Sequence, residues 1–247
     1  MLITIYQVLE WIETGLLMVT LFLGLHYNLQ MFQQNGYKNG EYFSWGTKNF
    51  DRQRFLMPTA VIFLLQYWVK EPVVQLILAV VMIIWSIAMI MAYSLYWKTE
   101  TKKKLVVTAR VKRLITTLVI IYVVFLLILY RDPWFWTGFY LFAMQEIIIF
   151  CNVINHPIEA GINKHYIHDA QRIIRANPQI KIIGITGSYG KTSMKYYLNT
   201  LLKDYYDVLI TPGNYNTTLG VVRTIREHLK PSNQIFLCEM GARHVHD

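Results

Sequence analysis

Apolar residues run in long, nearly unbroken stretches through the first 155 positions, and short blocks of alternating character follow. Five stretches, roughly 2–25, 55–69, 72–97, 114–130 and 133–155, are dense in Leu, Ile, Val, Phe and Trp. Most approach the ~20 residues a helix needs to cross ~30 Å of hydrocarbon. The second and third are parted only by "KEP", the fourth and fifth only by "RDP". Pro beside charge suits a tight turn between antiparallel helices, so five transmembrane helices are expected over residues 1–155. The first stretch holds Glu10 and Glu13 and has no Lys or Arg before it, unlike a cleaved leader, and is expected to remain as a span.

After residue 155, "NHPIEAGINKHYIHDAQRIIRANPQ" places Ile158, Ile162, Tyr166, Ala170 and Ile173 at about helical spacing. This predicts an amphipathic connecting helix within 156–178 that starts at Pro157 and ends near "ANP". From residue 179 the pattern changes again. "IKIIGIT" reads as a strand, "KTSMKYYLNTLLKDY" as a helix, "DVLIT" as a strand, "GVVRTIREHLK" as a helix and "QIFLCEM" as a strand. Strand, helix, strand, helix, strand implies a parallel sheet. The expected fold class is an α-helical membrane region followed, over 179–247, by the start of an α/β P-loop domain.

Composition agrees with the membrane reading: 54% hydrophobic, 15% aromatic, 16% charged, mean hydropathy +0.30. The net charge of +9 raises nucleic acid as a partner, but placement argues otherwise. Lys38, Lys48, Arg52 and Arg54 follow the first stretch, and Lys98, Lys102, Lys103, Lys104, Arg110, Lys112 and Arg113 follow the third; the short turns carry only Lys70 and Arg131. Positive residues mark cytoplasmic loops. The expectation is a multi-pass plasma-membrane protein with its N-terminus outside and residue 156 onward in the cytoplasm. "KTETKKK" lacks interleaved aromatics and reads as a topology signal and anionic-lipid contact, so membrane lipids and not nucleic acid are the expected partners. Cys151 and Cys238, far apart and outside any CxxC spacing, are expected as free buried thiols. Glu10, Glu13 and Glu146 either face neighbouring helices or a polar groove, or sit near the interface. His156, His165 and His168 have no HExxH arrangement and are not expected to bind metal. The aromatic loop "NGYKNGEYFSWGTKNF" leaves two readings open, an interfacial belt or contact with a substrate headgroup.

The turn after the first strand, "GITGSYGKTS", carries the candidate chemistry. Gly187 and Gly190 let the backbone wrap phosphates, whose charge the amides and the following helix N-terminus face. Lys191 supplies a point charge at the β/γ-phosphates and the Thr192 hydroxyl a Mg²⁺ ligand. The common G-x-x-x-x-G-K-[ST] pattern needs Gly at position 185, which is Ile185, so what remains is TGxxGKT.

That form resembles the phosphate loop of the Mur ligase superfamily. "TPGNYNTTLG", 211–220, is similar to the segment that follows the second strand in MurF-type members, and "EMGA", Glu239 to Ala242, to the stretch holding their Mg²⁺-binding glutamate. The resemblance covers roughly 180–247 and is closest to MurF, a UDP-N-acetylmuramoyl-tripeptide–D-alanyl-D-alanine ligase. It implies an ATP- and Mg²⁺-dependent ligase that phosphorylates a carboxylate and lets an amine displace phosphate, forming an amide. By matching positions, Lys191, Glu239 and Asn214 are the expected catalytic residues; Gly187, Ser188, Gly190, Lys191, Thr192, Ser193 and Asn216 hold nucleotide; and Thr192 and Glu239 hold the metal. Asn214 also fits a loop cap for the next helix, and His244 and His246 a loop beyond the strand.

Departures from the family bear on substrate. Five expected spans stand where an ordinary MurF has its uridine-nucleotide-binding domain. The chain also ends before the family's remaining central strands and amino-acid-binding domain, so it is expected to be C-terminally truncated and inactive alone. Spans joined to a ligase suit a lipid-linked acceptor, since confinement raises effective concentration. The expected partners are a muramoyl peptide, UDP- or lipid-linked, and an amino acid or dipeptide such as D-alanyl-D-alanine. The alternative is a membrane-anchored nucleotide-binding scaffold or transporter subunit without ligase activity.

Overall fold

The computed structural model describes residues 2–49, 58, 61–62, 65–66, 68–69, 71–99, 104–129, 133–213 and 215–241. The chain divides into two compact units, Met1–His156 and Pro157–Asp247.

In the first unit the apolar stretches form helices α1 (Leu2–Gln34), α3 (Pro72–Thr99), α4 (Ala109–Leu129) and α5 (Pro133–Phe142), and helix α6 (Met144–Arg175) begins there. Among the described residues, two helices are long and apolar enough to cross a membrane, Gln7–Gln34 and Pro72–Leu95, rather than the five expected. The physical reasons differ. Helix α4 carries Arg110, Lys112 and Arg113 in its first turns, which leaves 114–129 as an apolar remainder shorter than the ~20 residues of a full span. The stretch 133–155 breaks at Ala143 into ten-residue α5 and the start of α6. The stretch 55–69 and the cluster "KTETKKK" lie largely outside the described residues.

The aromatic loop is helical over most of its length, with Tyr42 and Gly46 turned inward and the exposed Phe43 on the other side. It forms helix α2 (Asn39–Lys48), which buries Tyr42 completely. The Tyr42 ring stacks on Trp45 at 5.6 Å and meets Phe32 edge-on at 5.0 Å, and its hydroxyl donates to Asn28 Oδ1 at 2.8 Å. Glu10 and Glu13 part company: Glu10 is exposed, while Glu13 is buried and accepts from Gln66 Nε2 at 3.3 Å. Glu146 is exposed.

Helix α6 does not start at Pro157 but runs through it, from Met144 to Arg175. Its polar and apolar halves meet near that residue, which is why the sequence suggested two helices. In the second unit its C-terminal part supports a three-stranded parallel sheet of β1 (Lys181–Ile185), β2 (Val208–Ile210) and β3 (Ile235–Glu239), ordered β1-β3-β2. Helix α7 (Lys191–Leu202) joins β1 to β2, and α8 (Thr218–His228) joins β2 to β3. The period-two alternation of β3 sorts the layers. Phe236 and Cys238 pack against Ala170 of α6 and Val222 and Ile225 of α8. Ile235 and Leu237 face Leu198 and Leu202 of α7. Central β3 is buried at every position, as a strand with neighbours on both edges and helices on both faces should be. An ion pair from Arg226 Nε to Asp169 Oδ2, 2.7 Å, and the Arg226 guanidinium over the Tyr166 ring, 4.3 Å, fix α8 to α6.

Candidate active site

Alternation places Glu239 on the α7 side of β3, level with Ile185 at the end of β1. The loops that follow β1, β2 and β3 therefore gather at the carboxyl edge of the sheet, where open α/β sheets bind ligands. The β1–α7 turn is open to solvent: Gly187, Ser188, Tyr189 and Gly190 are all exposed, Tyr189 to 96%. Gly190 takes φ +75°, a left-handed conformation that glycine adopts without a Cβ penalty, and the helix begins at the next residue. Lys191 curls back so that its ammonium donates to the Gly187 carbonyl.

Thr192 and Glu239 come together: the hydroxyl donates to Oε1 at 3.0 Å and lies 3.1 Å from Oε2. Burial pushes the Glu239 carboxyl up, but hydrogen bonds from Lys195 and Thr192, the Lys195 charge and a hydrogen bond from the Asn216 side chain outweigh it and hold the group below the ordinary carboxylate range. A hydroxyl and one ionised carboxylate side by side are hard oxygen donors of the kind Mg²⁺ takes when phosphates and water supply its other ligands. The donor set fits that ion.

Sequence reasoning missed Lys195. Its Nζ is fully buried and donates to Glu239 Oε2 at 3.0 Å, to the Thr211 carbonyl at 2.8 Å and to the Gly213 carbonyl. The signal was present: Lys195 shares the α7 stripe of Leu198 and Leu202, and a lysine on a core-facing stripe requires buried partners. Thr211 was missed too. Beyond the end of β2 its N–H still donates to the Leu237 carbonyl at 3.1 Å, while its own carbonyl turns to Lys195. Its hydroxyl takes the carbonyl's place and accepts the Glu239 N–H at 3.1 Å.

Asn216 joins the site through that side-chain bond to Glu239, and its carbonyl accepts the Gly241 N–H at 2.6 Å. A Cβ at Gly241 would lie 3.0 Å from that same carbonyl, so a larger residue there would push the Asn216 backbone back by a few tenths of an ångström. Ser193 is exposed on the first turn of α7 and does not meet the Thr192–Glu239 pair. Asn214, Ala242, His244 and His246 lie outside the described residues. The N-cap of α8 is Thr217, whose hydroxyl accepts the Gly220 N–H at 3.2 Å. His156, His165 and His168 are exposed, and among the described residues no cluster of metal-ligating side chains occurs. Both cysteines are buried and free.

A glycine turn between strand and helix, with a hydroxyl and a carboxylate converging beside it, makes the second unit an α/β unit whose polar side chains gather at the carboxyl ends of a parallel sheet. Comparison with known proteins narrows this: residues 185–247 match the Mur ligase middle domain. The chain is 41% identical over 64 residues to a Synechocystis UDP-N-acetylmuramoyl-tripeptide–D-alanyl-D-alanine ligase, a match covering 26% of this chain and 14% of that one. It is 40% identical over 65 residues to the same-named Mycobacterium tuberculosis protein, covering 26% and 12%, and 34% identical over 71 residues to the Escherichia coli one, covering 29% and 16%. The matched stretch thus spans about one seventh of these relatives' length. No solved structure matches the chain.

Proposed function

We propose that the protein is an ATP-dependent amide ligase of peptidoglycan precursor synthesis, adding D-alanyl-D-alanine or a related amine to a muramoyl peptide at the cytoplasmic face of the plasma membrane. The observation that carries the reading is the Thr192–Glu239 pair beside the glycine turn, within a segment matching the Mur ligase middle domain. A carboxylate oxygen of the muramoyl peptide attacks the γ-phosphorus of ATP and ADP leaves. The amine then attacks the acyl carbon, the C–O bond to phosphate breaks, and the nitrogen loses a proton as the amide forms. Charge develops on phosphate oxygens in the first step, so positioning and electrostatics do most of the work. The exposed amides of Gly187, Ser188 and Gly190 face the triphosphate, and Lys191 leaves the Gly187 carbonyl for the β/γ-phosphates. Thr192 and Glu239 would hold Mg²⁺, whose charge would offset that on the phosphate oxygens, and Asn216, bonded to Glu239 through its side chain, would help keep the carboxylate in place.

The two long apolar helices support attachment to a membrane, and a lipid-linked acceptor would gain from that confinement. The test is ADP release by the protein in nanodiscs, given D-alanyl-D-alanine with UDP-linked or lipid-linked muramoyl tripeptide. Release that needs both substrates and is lost in Lys191→Ala supports the ligase and identifies the carrier. Nucleotide binding that no acceptor turns into ADP release would replace it with the scaffold or transporter-subunit reading.

A further inference from the structure

We infer that Lys195 is a positioning residue that orients Glu239 for the metal and ties the β2–α8 loop to the same carboxylate, an inference that rests on the nucleotide site proposed above. Lys191 and Lys195 lie one turn apart on α7 and do different things. Lys191 is partly exposed at the open turn, while Lys195 is fully buried. A lysine ammonium has three donors, and here Thr211 O, Gly213 O and Glu239 Oε2 consume all three. With no donor left and no exposed surface, Lys195 cannot reach a phosphate. Whatever it contributes passes through the groups it holds.

Those groups are the ones the site needs. Lys195 donates to Glu239 Oε2 at 3.0 Å, while the Thr192 hydroxyl donates to Oε1 at 3.0 Å, so the ammonium anchors the carboxylate by one oxygen and keeps the other beside Thr192, the second metal ligand of the proposed site. The carbonyls of Thr211 and Gly213 are turned inward, the second from a left-handed glycine at φ +50°. This sets the path of the loop that brings Asn216 to Glu239. Helix, loop and strand end thus share one ammonium. Outer-shell partners that fix a ligand's orientation typically change metal affinity by roughly 10–100-fold when removed. A methionine of similar length keeps the packing, but removing one partner of a buried ion pair leaves the other charge uncompensated and is strongly destabilising, so Lys195→Arg, which keeps the charge, is read beside it.

The test is the binding of a fluorescent ATP analogue to the full chain in nanodiscs, titrated in EDTA and again in Mg²⁺, for the unaltered protein, Lys195→Met and Lys195→Arg. The quantity read is the enhancement of nucleotide affinity by Mg²⁺. The expected result is a loss of about tenfold or more of that enhancement in Lys195→Met, with affinity in EDTA within about twofold of the unaltered protein. Lys195→Arg keeps the charge but its planar fork cannot aim three donors at converging acceptors, so it too loses enhancement. If Lys195→Met does not fold, Lys195→Arg decides. Full enhancement in the folded variants, or an equal fall in EDTA and Mg²⁺, overturns the inference and leaves the nucleotide site standing. An unaltered protein that binds no nucleotide in either condition overturns the site itself.

Discussion

Replacing Thr211 with valine isolates one hydrogen bond at the edge of the site. The Thr211 side chain is fully buried, and its hydroxyl accepts the Glu239 N–H at 3.1 Å where a ladder carbonyl would otherwise stand. Valine keeps the branched shape and volume, and the backbone carbonyl remains on Lys195. What is lost is the acceptor, and a buried N–H left unpaired costs about 1–3 kcal/mol. Thr211→Ser keeps the acceptor and removes one methyl, a loss of about 0.8 kcal/mol. The two variants therefore fall in a defined order, with valine the more damaging although serine is the smaller residue. Amide hydrogen exchange of the second unit in detergent reads the effect: the Glu239 amide loses protection by about one to two orders of magnitude in Thr211→Val and less in Thr211→Ser. Equal protection of that amide in the valine variant and the unaltered protein would refute the account of the ladder's end.

Two other outcomes follow from the same geometry. Tyr42→Phe keeps the stack on Trp45 but removes the donor to Asn28, and should lower the detergent-unfolding stability of the helical unit by roughly 0.5–2 kcal/mol; a change confined to Tyr42→Ala would show that only packing matters. Burial pushes the Cys238 thiol up to about 11. The unfolded thiol ionises near pH 8.5, so the contribution is intact below that value and is lost as pH rises toward 11. Thiol alkylation at pH 8 should leave Cys238 unmodified in the folded chain and modify it in urea, as mass spectrometry of the Cys238 peptide would report.

Strands were legible because each is a short Val/Ile/Leu run stopped by Gly, Pro or Asn, and the turn residues that carry chemistry sit where those runs stop. The order β1-β3-β2 was not legible, since no local pattern says that the last strand pairs between the first two. Lys195 was hidden by its own polarity: a charged residue on a helix reads as solvent-facing until Leu198 and Leu202 show which face is inward. In the helical unit, hydropathy marked the apolar runs but not their breaks. Nothing in "YLFAMQ" signals the interruption at Ala143, whereas Pro157, a strong breaker on paper, lies inside α6. Tyr42 and Trp45 looked interfacial because their ring and polar tip suit water and lipid alike, and only the partners on Asn28 and Phe32 decide between those fates.

The position of β3 also bears on how the chain is made. The middle strand of the sheet is the last of the three to be synthesised, on the order of fifty residues after β1 ends, which is several seconds at ~5–20 residues per second. Until Ile235–Glu239 emerges, β1 and β2 have no ladder to join and the glycine turn has no carboxylate opposite it. The apolar helices leave the ribosome well before that moment. Nascent-chain arrest ahead of residue 235 should therefore yield a second unit that proteases cut freely, and the released chain one that resists them.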